Sequence, residues 1–332
     1  SKTSFDAIII DAGHNGLAAA FYLATSGLRP LVLERRDLVG GACVTEEFAP
    51  GYQASPAAHV LAMLRESIWT DMKLVERGIH VDAAGPTLTL FPDGQHLLIS
   101  DDDAATFAEI SKFSIKDAQA TAAFDAHLGR LAKVLMPLYD QTAPHPRVRN
   151  LTDLRNLARL GGRVVKSRRD LQDLAFLLTT SSARYLSEWF ESEHVIASHS
   201  WTALVDSFSG PSTPGTAFLL LHEHASADNS STGEARAWGF VRGGMGRVTA
   251  AMADAAREAG AEVRLSAEVE RIVLRNGRAI GVELVGGETI YASRIVSNAD
   301  PKRTFLRMLD ADRDLPAEFV KAVRAIRSSS TS

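Results

Sequence analysis

The sequence predicts an α/β protein: a doubly wound parallel sheet that carries an inserted, mainly helical domain. Three observations point there. A strand, a glycine turn, a helix and a second strand fit within residues 5–33; strand and helix patterns punctuated by glycine return between Gly243 and Val296; and the stretch between them repeats its apolar residues at three- and four-residue spacing. With 332 residues, of which 45 % are hydrophobic and 23 % charged, the chain can form one large domain or two interleaved ones.

Phe5 to Ile10 reads as a buried strand, with an unbroken apolar run from Ala7 to Ile10. A helix from about His14 to Ser26 follows, ending at Gly27, and Pro30 to Leu33 forms the next strand. Glu46 to Ile79 mixes Pro, Gly and Ser with apolar pairs and reads as loop and short helix. Thr87–Phe91 and Gln95–Ile99 flank Pro92-Asp93-Gly94, which predicts a hairpin that opens a different domain. From Asp101 to about Val205 the chain is mostly helical. Ser114-Ile115-Lys116-Asp117 has a capping-box pattern, and Leu128, Leu131, Leu135 and Leu138 line one face.

Ser207 to Gly215 reads as a loop, and Ala225 to Glu234 as a surface excursion. Gly243-Gly244-Met245-Gly246 introduces a helix over Arg247 to Ala259, then a short strand over Gly260 to Arg264. Glu268–Leu274 and Ala279–Val285 are strands joined by an Asn276-Gly277 turn, with short strands at Thr289–Ala292 and Arg294–Val296. The implied domains are 1–84 with 240–300, an insertion over 85–239, and a helical C-terminal segment over 301–332.

Net charge is −4, so the chain presents no global field for gathering phosphates, and no aromatic residues interleave with its basic stretch; nucleic acid is not an expected partner. Cys43 is the single cysteine, which excludes an intramolecular disulfide and a cysteine zinc site and fits a reducing compartment. No signal peptide or transmembrane segment is recognisable, so the expected location is cytoplasmic or peripheral to a membrane. The His222-Glu223-His224 run and the His194/His199 pair lack helical metalloprotease spacing, and no metal site is expected.

The chemistry is carried by Asp11-Ala12-Gly13-His14-Asn15-Gly16, set between a strand and a helix where a dinucleotide fingerprint GxGxxG belongs. Gly13 and Gly16 fill its second and third places, for close approach to a pyrophosphate and for packing of helix on strand. Glu34 ends the second strand about 18 residues after Gly16, where an acidic side chain hydrogen-bonds ribose hydroxyls. Those features suit NAD as well as FAD.

The choice comes from Gly40-Gly41. DAGHNGL (Asp11 to Leu17), LVLERR (Leu31 to Arg36) and VGGACVTEE (Val39 to Glu47) resemble the opening of the FAD-dependent phytoene desaturase and amine oxidase superfamily, which reads GAGHNGL, LVLERR and VGGAxVTEE. RGGMGRVTAAMADAAREAGAEVR (Arg242 to Arg264) and VSNADPKRTFLRML (Val296 to Leu309) also match, closest to its carotenoid-desaturase-like branch. The resemblance implies a Rossmann-like FAD-binding domain, a doubly wound parallel sheet plus β-meander. It implies that Ala12, Gly13, Asn15 and Gly16 face the FAD pyrophosphate, Glu34 the adenosine ribose, and Arg35 or Arg36 the adenine side. Gly40, Gly41 and Ala42 would pass beneath the ribityl chain, and Val269 would offer backbone bonds to adenine. Relatives continue well beyond this length to a glycine-rich segment that closes over the flavin, so the resemblance also implies a C-terminally truncated chain.

Asp11 departs from the pattern by placing a carboxylate where the first glycine belongs. At about 5 Å and an effective dielectric of about 20, like charges repel by about 3 kcal/mol, or about a hundredfold in binding. Protonation, rotation towards solvent or a basic neighbour such as Arg35 would reduce this.

The resemblance implies an oxidoreductase of desaturase, saturase or isomerase type acting on a lipophilic isoprenoid, polyene or acyl substrate. His59 would lie near the isoalloxazine, to steer or protonate substrate; a histidine satisfied by backbone is the plainer reading. Basic residues over 147–169, with Leu151, Leu154, Leu157 and Leu160 at helical spacing, read either as a solvated face with its leucines in the core or as a peripheral membrane contact. Two rival readings remain: a flavin-free binding or assembly protein that keeps the fold, motivated by Asp11, and an NAD-binding dehydrogenase, disfavoured by Gly40-Gly41.

Overall fold

The computed structural model describes residues 5–139, 150–166, 168–204, 207–227 and 239–327. The chain begins β1 (Ala7–Ile10), α1 (His14–Thr25), β2 (Pro30–Leu33), β3 (Glu46–Ala49), β4 (Tyr52–Ala54), α2 (Glu66–Asp71) and β5 (Val81–Ala83). A hairpin of β6 (Thr87–Leu90) and β7 (His96–Ile99) precedes α3 (Asp103–Ser111), α4 (Ile115–Tyr139), α5 (Leu151–Lys166) and α6 (Arg168–Thr179). Next come α7 (Ser182–Ser187), α8 (Glu193–Ser200), α9 (Ala217–Ala227), β8 (Gly239–Val241), α10 (Gly246–Glu258) and β9 (Glu262–Arg264). The chain continues through β10 (Val269–Arg275), β11 (Arg278–Leu284), β12 (Thr289–Tyr291), β13 (Ile295–Ser297), α11 (Pro301–Leu306), α12 (Ala311–Asp314) and α13 (Ala317–Ala325). Two units result, one of Ser1–Ala83 with Trp238–Ser328 and the other of Ala84–Ala237.

In the first unit a parallel sheet runs β13-β1-β2-β9, with Ile8 opposite both Ile295 and Leu31, and Leu31 opposite Glu262. Side chains alternate across it. Ile9 and Val32 pack under α1 and α10 with Leu17, Ala20, Val248, Met252 and Ala256, whose small alanines let the helices sit close. Ile8, Ile10, Leu31 and Leu33 face the opposite way onto Val269, Val282, Leu284 and Ile290 of the β10-β11-β12 meander. Because both faces are covered, β1 and β2 read as unbroken apolar runs. Asn276 and Gly277 both take positive φ, +50° and +72°, in the β10–β11 hairpin turn.

Residues 46–79 contain more order than their mixed composition conveys: β3 and β4 pair antiparallel, and α2 buries Trp69. The β5–β8 pairing was not foreseen. It joins Val81 to Val241 across 160 residues, and the Asp82 carboxylate takes an Arg242 guanidinium at 2.7 Å.

The second unit has its own core, including Leu97, Ile110, Phe124, Leu131, Leu177, Leu186 and Leu221. The expected capping box at Ser114 forms only halfway. The Asp117 amide donates to Ser114 Oγ at 3.1 Å, but the Asp117 carboxylate accepts the amides of Glu191 and Ser192, each at 2.9 Å. The box is built around Glu or Gln, which reach back to the cap; the shorter Asp, fully buried, caps the chain entering α8 instead.

Arg147 and Arg149 lie outside the described residues, as does the excursion beyond Ala227. On α5, Leu151 and Leu154 are exposed rather than joined to the core. Among the described residues no helix is long and apolar enough to cross a membrane.

Candidate dinucleotide site

The carboxyl ends of β1, β2 and β13 converge, as open parallel sheets place their ligands. At the end of β1 the chain turns through Asp11, at φ +87°, into α1, whose N-cap is Gly13. The first intrahelical bond of this helix runs from the Leu17 amide to the Gly13 carbonyl. The amides of His14, Asn15 and Gly16 precede it, so they have no helical acceptor and form the positive end of the dipole.

Glycine is required by geometry at this loop. A Cβ on Gly16 would stand 2.2 Å from the Asp11 carbonyl oxygen, so the helix could not sit so close to the strand. Gly40 and Gly41, at φ +130° and +59°, lie alongside, with the Gly40 amide donating to the Ala12 carbonyl at 2.9 Å. A Cβ on Gly41 would come within 3.2 Å of Gly13 Cα, so the two glycine segments approach backbone to backbone. Thr249 on α10 supports the second segment by donating to the Cys43 carbonyl at 3.0 Å.

At the end of β2, Glu34 is 4 % exposed. Its Oε2 accepts the Ala12 amide at 2.9 Å and its Oε1 the Arg36 amide at 3.0 Å. It lines a cavity of about 240 Å³ together with Asp11, Arg35, Val269, Asn298 and Arg303. Asp11 Oδ1 accepts the Gly13 amide at 3.0 Å and Oδ2 accepts Asn298 Nδ2 at 2.7 Å. Burial raises the Asp11 carboxyl above 3.8 and the nearby Glu34 raises it further, while these two donors pull it down.

The structure gathers Ala12, Gly13, Asn15, Gly16, Glu34, Arg35, Gly40, Gly41 and Val269 around this edge. Arg36 turns away into an ion pair with Glu46, so of this arginine pair it is Arg35 that lines the cavity. Ala42 is exposed, its carbonyl accepting the Ala58 amide at 3.1 Å. His59 is also exposed, with Nδ1 3.3 Å from its own loop's Ala57 carbonyl oxygen. Cys43 lies with Sγ 3.6 Å from His14 Nδ1; burial raises the thiol and lowers the imidazole, disfavouring the charged form of each.

Sequence reasoning missed Asn298, Arg303 and Glu268 as cavity residues. Arg303 and Glu268 pair at 2.6 Å on its rim. Asn298 had a signal: it is the first residue after β13, at the carboxyl end of a parallel strand. Arg303 and Glu268 had none, because only the packing of α11 and the meander brings them here.

A dinucleotide fits these residues: glycines that no side chain could replace line the backbone approach, helix amides lack intrahelical acceptors, and a carboxylate stands at a cavity mouth. The sequence profile of the flavin containing amine oxidoreductase family matches residues 16–332. Pyridine nucleotide-disulfide oxidoreductase domain-containing protein 2 of Rattus norvegicus is 35 % identical over 349 aligned positions, covering 99 % of this chain and 59 % of the rat protein. Phytoene desaturase (lycopene-forming) of Pseudescherichia vulneris is 26 % identical, covering 91 % of this chain and 57 % of its own length. A solved triple mutant of putrescine oxidase shares the fold with a TM-score of 0.62 at 20 % identity, covering 97 % of this chain and 63 % of that one. The chain thus spans less than two thirds of the length of these relatives, and it belongs to the flavin containing amine oxidoreductase family.

Proposed function

We propose that this chain carries the FAD-binding portion of an oxidoreductase that acts on a lipophilic small molecule. The observation that carries this reading is the continuity of the cradle: the α1 amides, the Gly40-Gly41 segment and the cavity between Glu34 and Val269 lie along one sheet edge. A diphosphate suits the helix amides and glycines, and an adenosine suits the cavity. Glu34 would accept from ribose hydroxyls, Arg35 would border the adenine, and Val269 would offer its backbone to the base. FAD when bound supplies a two-electron acceptor that takes a hydride equivalent from a substrate C–H bond.

Phytoene desaturase among the relatives supports an isoprenoid, polyene or acyl substrate, with desaturase, saturase or isomerase chemistry. His59, exposed near the second glycine segment, is the residue of this chain proposed to steer or protonate substrate. The exposed Leu151 and Leu154, alongside Arg155 and Arg159 on α5, support a peripheral contact with an anionic bilayer. The domains are proposed as the FAD-binding part over 1–84 and 240–300, the substrate part over 85–239, and a C-terminal helical segment over 301–332.

A second reading is favoured by one observation. Asp11 holds the Gly13 amide with a carboxylate, as a protein that keeps the fold for binding or assembly without flavin could do. The visible spectrum of the purified chain, followed by FAD titration of apoprotein, separates the two. Stoichiometric flavin with a Kd lost on Gly41→Val supports the first; absence of uptake across the accessible pH range, in this chain and in Asp11→Gly alike, supports the second.

A further inference from the structure

Asp11 occupies the place of a glycine and keeps a glycine's backbone, at φ +87°. Its side chain is not turned to solvent. Oδ1 accepts the Gly13 amide at 3.0 Å, and Oδ2 accepts Asn298 Nδ2 at 2.7 Å. A Cβ built on Gly13 would meet Oδ2 at 3.2 Å, and one on Gly41 would meet Oδ1 at 3.9 Å, so the carboxylate lies over Gly13 facing the second glycine segment. On the FAD reading above, the diphosphate must cross this strip. It would need the same donors, and it would meet the Asp11 charge beside that of Glu34.

We propose that Asp11 makes dinucleotide capture by this chain proton-coupled: the diphosphate takes over donors that the Asp11 carboxylate holds, and Asp11 takes up one proton from solvent as it yields them. The inference rests on the FAD reading and adds a specific cost to it. The groups facing Asp11 set the balance. Glu34 at the end of β2 is buried beside it; Asp300 and the Arg303–Glu268 pair line the same cavity from α11 and the meander, and Arg35 lines it from beyond β2. His14 on α1 is engaged with Cys43, and burial lowers the imidazole below its ordinary 6.5. Burial and Glu34 raise the Asp11 carboxyl above its ordinary 3.8, while the Gly13 and Asn298 donors pull it down; losing those donors to a diphosphate removes the opposing pull. A third negative charge then moves the balance further the same way.

The test is FAD binding to the intact chain between pH 6 and 8, followed by fluorescence, with calorimetry in two buffers of different ionisation enthalpy to count protons. For the unmodified protein Kd rises with pH, by up to about tenfold per unit, and close to one proton is taken up per FAD. Asp11→Asn and Asp11→Gly bind about a hundredfold more tightly at pH 8, with flat profiles and no proton uptake through this position. Glycine suits the backbone there, and thermal unfolding of both variants checks that they remain folded. If the unmodified protein binds too weakly to measure at pH 8, recovery of binding at pH 6 supports the proposal and its absence overturns it. A pH-independent Kd matching that of Asp11→Asn overturns it while leaving the FAD reading in place. Failure of all three proteins to bind FAD at any pH overturns both.

Discussion

Asp117 in the helical unit and Glu34 in the sheet unit are buried carboxylates with the same local task, each accepting two backbone amides. Asp117 takes those of Glu191 and Ser192, and Glu34 those of Ala12 and Arg36. Their surroundings differ. Asp117 is fully buried beside an aromatic and leucine cluster, whereas Glu34 borders a cavity of about 240 Å³ with Asp11 close by. A carboxylate that fastens a fold is closed off once its donors are satisfied. One that serves a ligand keeps an open side, at the cost of crowding like charges.

The largest expected effect comes from breaking the closed case. Asp117→Ala removes, from a fully buried position, the acceptor of the Glu191 and Ser192 amides and lowers unfolding free energy by about 2–4 kcal/mol, read from urea denaturation. Glu34→Ala removes the same number of bonds where water can enter from the cavity, so its stability loss is smaller, about 1–2 kcal/mol. Its FAD affinity should fall by at least about tenfold, an effect that Asp117→Ala should not share while folded. A similar stability loss with unchanged FAD affinity would show that Glu34 only fastens the loop.

The two units also respond to pH with opposite sign. His199 is buried against Phe124 and Phe190, and its Nδ1 donates to the Val195 carbonyl; burial lowers its pKa below 6.5, with Asp125 and Asp117 opposing. The unfolded chain therefore binds a proton that the folded chain refuses, and stability is lost as pH falls through 6.5 towards the folded value. Asp11 is raised above 3.8, so its contribution is lost as pH rises through its folded value. Unfolding of His199→Gln should show a shallower acid decline below pH 6.5 than the unmodified protein, by up to about 1.4 kcal/mol per pH unit. Equal slopes would mean that His199 is not held neutral.

The smallest effect is expected at Arg242→Ala, which removes an exposed bidentate ion pair with Asp82. Its urea midpoint should not move measurably. A clear drop would make the β5–β8 junction more dependent on this pair than on its backbone pairing.

Much of the fold was legible because its signals are local. The AIII and PLVL runs, the Gly13/Gly16 spacing, Asn276-Gly277 and the leucines of α4 each act within a few residues. The Asp117 cap and the order within residues 46–79 were less legible, since their partners lie far along the chain or in strands of three or four residues.

By itself, the amino-acid order determined the strand–glycine–helix–strand unit, the position of Glu34 and the anomaly at Asp11. These follow from steric demands and hydrophobic periods that need no distant partner. Only the tertiary structure decided that Asn298 reaches Asp11 across 287 residues, that Arg303 and Glu268 meet at the cavity, and that Arg36 turns to Glu46 while Arg35 faces inward. Such choices depend on which side chains share a buried space, and that is set by sheet order and packing rather than by neighbours in sequence.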